Sequence, residues 1–159
     1  MTTPEFREIL DDYLSSSREL LERAEEALLA AEGAEGALSP DELAGLKRVF
    51  HTLKGNSAMM GFDAVASVAH ALEDALATLG AGDAAADEEV VALLLATIGR
   101  LSGAFREGEV PEEMPADWGA SVAELRRVAT EAPAAPQARA GASGKTGAED
   151  AARRILGGR

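Results

Sequence analysis

Four apolar stripes, each repeating at intervals of three and four residues and each cut off by glycine, restrict this chain to packed helices. The first covers residues 5 to 31, where Phe6, Ile9, Leu10, Tyr13, Leu14, Leu20, Leu21, Ala24, Leu28 and Leu29 recur between charged positions. Gly33 and Gly36 end it. Ser39-Pro40-Asp41-Glu42 then supplies a cap serine, a proline at the first helical position and a glutamate three residues past the cap. The second helix runs from there to about Met60, with Leu43, Leu46, Val49, Phe50, Leu53, Ser57 and Met60 inward, and Gly61 stops it.

Asp63 is the expected cap of a third helix over 64 to 79, with Val65, Val68, Ala69, Leu72, Leu76 and Leu79 inside. Gly80 and Gly82 break the chain again, and Asp87 caps a fourth helix over 88 to 107. Its stripe is Val91, Leu94, Leu95, Ile98, Leu101 and Phe105. Short connections favour antiparallel neighbours, so the expected fold is all-α, an up-down four-helix bundle. Beyond the two prolines of 110–115, Asp117 opens an additional fifth helix over 118 to 130, offering Trp118, Val122, Leu125 and Val128 to the bundle. No alternation of strand type lasts more than a few residues.

From Glu131 the composition shifts to Ala, Pro, Gly, Ser and Gln without a stripe to bury. Residues 1–130 therefore read as one domain and 131–159 as a flexible linker or tail, with at most a weak helical turn or two over 149–156. Cysteine is absent, which excludes disulfides and thiolate zinc sites. Net charge is −13, a balance that repels nucleic acid and anionic membrane. The longest apolar run, 90–98, is half a bilayer span, and the N-terminus is acidic where a secretory signal is basic. The expectation is a soluble cytoplasmic protein with no membrane insertion.

The chemistry-bearing residues cluster. Only two histidines occur, His51 and His70. His51 and Lys54 lie one turn apart at the edge of the second stripe, which puts the lysine within reach of a group on the imidazole. Gly55, one turn past His51, costs the helix about 1 kcal/mol against alanine, and open access to the ring is a reason to keep it. Counting back from Gly61 brings His51 toward the level of His70 and Glu73 on the third helix. A carboxylate holding one ring nitrogen leaves the other as a nucleophile. Glu73 is expected to orient His51, with His70 tightening the network. The bland alternatives are a surface histidine, a solvated lysine and an ordinary helical His–Glu pair; His51, His70 and Glu73 as a zinc set is the remaining one.

These residues carry a resemblance. His51-Thr52-Leu53-Lys54-Gly55, then Gly61-Phe62, then His70-Ala71-Leu72-Glu73 resemble the histidine-containing phosphotransfer (HPt) domain, in particular the N-terminal domain of chemotaxis kinases of the CheA type. The likeness extends over roughly residues 5 to 130. It implies that His51 is phosphorylated, that Lys54, His70 and Glu73 support it, and that Thr52 and Gly55 complete the motif. It further implies a two-component relay. The ATP-binding domain of a CheA-like kinase, using ATP and Mg2+, phosphorylates His51, and the aspartate of a CheY-like response-regulator receiver, with its own Mg2+, accepts the group. Nothing in the chain resembles a Gly-rich phosphate loop or a paired acidic metal site, so no cofactor or metal is expected in this chain. Alternatives are a freestanding phosphotransfer protein and an acidic helical adaptor that docks a partner without phosphorylation.

Overall fold

A computed structural model describes residues 3–33, 38–80 and 87–131. It contains five helices and, among the described residues, no strand: α1 Pro4–Gly33, α2 Pro40–Met59, α3 Asp63–Gly80, α4 Glu88–Glu107 and α5 Ala116–Glu131. α2 packs most extensively on α3, α1 bridges α2 and α4, and α5 lies on α3 and α4. The architecture is the expected all-α bundle with a fifth helix appended. Among the described residues no helix is long and apolar enough to cross a membrane. The expected tail, including the turn over 149–156, lies outside the described residues.

The helix starts follow local chemistry. Ser39 Oγ accepts from Glu42 N–H at 3.1 Å and the Glu42 carboxylate accepts from Ser39 N–H at 2.8 Å, a complete capping box ahead of Pro40. Asp87 Oδ1 accepts from Val90 N–H at 2.9 Å. Two other starts differ from expectation. Asp63 is the first helical residue and not the cap, because Ala66 N–H already bonds to Phe62 O. Its charge still favours the positive helix end. α5 begins at Ala116, two residues early, with Gly119 N–H bonded to Pro115 O and Asp117 inside the first turn.

The inner stripes converge on one core that includes Tyr13, Leu21, Leu28, Phe50, Leu53, Leu72, Leu76, Leu94, Ile98, Phe105 and Leu125. Trp118 and Val122 join it from α5. Phe6, Ile9 and Leu29, expected inside, are instead exposed. The 30 residues of α1 make it about 45 Å long, against about 30 Å for the 20 residues of α2. Tyr13 already meets Ser57 near the end of α2 and Phe105 near the end of α4. The turns of α1 before Tyr13 therefore project past their neighbours, and Phe6 and Ile9 have nothing to bury against. Leu29 stands about 100° around the helix from Leu28, which takes the core position.

The α2–α3 connection sets the register of the site. Gly61 adopts φ 85°, a conformation that side chains resist, and Phe62 N–H bonds back to Ser57 O at 2.9 Å. Phe62 stacks on Tyr13 with ring centroids 5.3 Å apart, and the Tyr13 hydroxyl is 2.7 Å from Ser57 Oγ. The turn is thus clamped to α1, and α3 returns along α2 at a fixed height.

Candidate functional site

His51 projects from the exposed side of α2, next to Phe50 and two residues before Leu53, both fully buried. Its side chain is 67% exposed, whereas that of Glu73 on α3 is 13% exposed. His51 Nδ1 and Glu73 Oε2 are 2.9 Å apart. The second oxygen, Glu73 Oε1, lies 2.7 Å from Lys54 Nζ and is otherwise without a hydrogen-bond partner. One carboxylate therefore holds an imidazole and an ammonium that leave α2 one turn apart.

The electrostatics fix the tautomer. Burial works to raise the Glu73 pKa, but the hydrogen bonds and charges of Lys54 and His51 outweigh it and hold the carboxyl below its ordinary value. An ionised carboxylate can only accept, so the proton of a neutral His51 ring sits on Nδ1. The lone pair is then on Nε2, which faces away from Glu73. Such a ring can attack an electrophile through Nε2 while Glu73 stabilises the positive charge that develops on it.

The other expected residues divide. His70 does not join this network: its Nε2 is 3.4 Å from Asp74 Oδ2, one turn along the exposed face of α3. Glu73 and Asp74 are both within a turn of His70, and the imidazole takes the outer acid. His51, His70 and Glu73 accordingly do not converge, and among the described residues no three His, Asp or Glu side chains are placed to share a metal ion. Thr52 is exposed and lines an apolar groove between α1 and α2 with Leu20, Arg23, Leu46, Arg48 and Val49, on the flank of the histidine face. Gly55 is exposed, and a Cβ built there would meet nothing within 4 Å. Among the described residues no contact requires glycine; its effect is to leave the surface beyond the ring flat.

Three residues were not anticipated. His51 and Glu73 share a shallow concavity with Ala44, Lys47 and Arg48, the preceding two turns of α2. The available signal was the direction of helical side chains, which lean toward the N-terminus and so over residues three and four earlier.

Comparison with known proteins agrees with this geometry. The family model described as the Hpt domain matches residues 8–104, more than half of the chain. A solved structure described as the phosphorylated P1 domain of CheA3 in complex with CheY6 from R. sphaeroides is similar, with 27% identity and a TM-score of 0.67. The match covers 79% of this chain and 98% of that one. No match is found among curated proteins.

Proposed function

Because the chain belongs to the Hpt domain family, we propose that His51 is its phosphorylated residue and Nε2 the atom that carries the group. The observation that carries this reading is the contact of Glu73 with Nδ1 of an otherwise exposed imidazole. In the first step the γ-phosphoryl of ATP, presented by a separate CheA-like kinase domain, is attacked by Nε2. The Nε2–P bond forms as the bond from phosphorus to the β,γ-bridging oxygen breaks, and that electron pair leaves with ADP. The ring keeps its Nδ1 proton and becomes cationic, held against Glu73. In the second step an aspartate oxygen of a CheY-like receiver attacks phosphorus and the electron pair returns to Nε2. Both steps rely on positioning and electrostatics more than on protein-centred covalent chemistry.

The solved relative, a P1 domain bound to CheY6, supports a receiver as the partner. Lys54 secures Glu73 in this reading, and Gly55 keeps the approach clear. The test is incubation with ATP and a CheA-type kinase core. The expected product is an acid-labile, base-stable label on the wild type, absent from His51→Gln at unchanged helicity. A label that persists in His51→Gln would place the phosphoryl group elsewhere.

A further inference from the structure

Lys54 stands one turn past His51, but its ammonium is already paired with Glu73 at 2.7 Å. The chain has 28 acidic and 15 basic residues, and lysine occurs at only three positions, 47, 54 and 145. Two of the three stand within four residues of His51. Lys47 is one turn before it at i−4 and Arg48 at i−3, so the two flank the histidine on the helix surface. Both are exposed, and among the described residues neither has a carboxylate at salt-bridge distance.

The concavity that receives the ring is lined by Ala44, Lys47, Arg48, His51 and Glu73, and Lys54 takes no part in it. Side chains on a helix lean toward its N-terminus, which carries the His51 ring over residues 47 and 48, while the Lys54 ammonium is held at Glu73 by its ion pair. Ala44 leaves space at the far end. A dianion placed there also faces the Glu73 carboxylate across the ring, so it requires positive charge that Glu73 has not consumed.

Resting on the assignment of His51 made above, we infer that Lys47 and Arg48, and not Lys54, hold the phosphoryl group once it is on Nε2. They favour the dianion and keep it against α2 until a receiver takes it. Lys54 acts on the group only through Glu73.

The test separates this from partner docking by labelling with potassium phosphoramidate, a small donor that needs no protein surface. The His51 N–P bond forms as the donor's own N–P bond breaks and ammonia leaves. Phosphohistidine is then titrated by phosphorus NMR in wild type, in Lys47→Gln with Arg48→Gln, in Lys47→Arg with Arg48→Lys, and in Lys54→Gln. The second ionisation of the phosphoryl group is expected to rise by about half a pKa unit in the charge-removing pair. It should return in the charge-preserving pair and move less in Lys54→Gln. An unchanged titration in the charge-removing pair, or a larger shift in Lys54→Gln, overturns the inference. Absence of label on wild-type His51 would instead sink the assignment beneath it.

Discussion

His51 and Glu73 stand 22 residues apart in sequence and 2.9 Å apart in space, joined through Nδ1 of the ring and Oε2 of the acid. The contact leaves Nε2 as the exposed nitrogen and places a negative charge behind it. The second Glu73 oxygen, paired with Lys54, prevents the acid from rotating away.

Replacing Glu73 by glutamine removes the charge and frees the ring to take the other tautomer. Phosphorylation of His51 by a kinase core should slow by about 10²-fold, the order associated with a positioned acid–base partner. Circular dichroism should show the bundle intact. A variant labelled at the wild-type rate would mean that the contact is incidental.

Lys54 and Glu73 should not act independently. Lys54→Ala slows labelling by leaving the acid mobile, so Lys54→Ala in a Glu73→Ala background should add little further loss. A double-mutant cycle on the labelling rate measures this directly. Full additivity would assign Lys54 a separate role.

His70→Ala should leave labelling nearly unchanged, because His70 faces Asp74 and not Glu73. Its exposed i,i+4 pair contributes at most a few tenths of a kcal/mol. A defect approaching that of Glu73→Gln would show that His70 turns inward during the reaction.

Acid should weaken the domain through Glu73. Its carboxyl is held below its ordinary value, since Lys54 and His51 outweigh the burial that opposes them. The native state therefore releases this proton more readily than the unfolded chain. The stabilisation is complete above the unfolded glutamate value, about 4.3, and disappears as pH falls through the lower native value. Urea midpoints measured across that range should fall more steeply for wild type than for Glu73→Gln. Parallel curves would contradict the linkage.

Gly55→Ala should stabilise α2 by about 1 kcal/mol, since the added methyl meets no atom within 4 Å. Labelling by a small donor should be unaffected, while transfer to a receiver slows because the methyl stands on the approach to the ring. A urea melt and the two rates, taken together, distinguish helix propensity from access.

Much of this arrangement was readable from the chain. Ser39 through Glu42 announced a helix start by their own hydrogen-bonding chemistry, as did Asp87. Counting along two helices from Gly61 was enough to bring His51 to Glu73. Direction was harder than proximity. From His70, Glu73 and Asp74 lie one residue and 100° apart, and spacing alone does not say which acid the ring takes. Phe6 and Ile9 share the phase of the α1 stripe, and periodicity does not report where neighbouring helices end. Ser17 is fully buried in that same stripe although its side chain is polar, a place where the pattern of apolar letters has a gap.

The three residues Met60 to Phe62 make no contact with the imidazole, yet they decide which α3 residue stands behind it. Inserting one residue there would slide α3 by about 1.5 Å and turn it by about 100° relative to α2, carrying Glu73 off the ring. The reactivity of the histidine is in this sense spelled by the length of a hinge nine residues downstream, and substituting residues beside the ring could not repair an error made there.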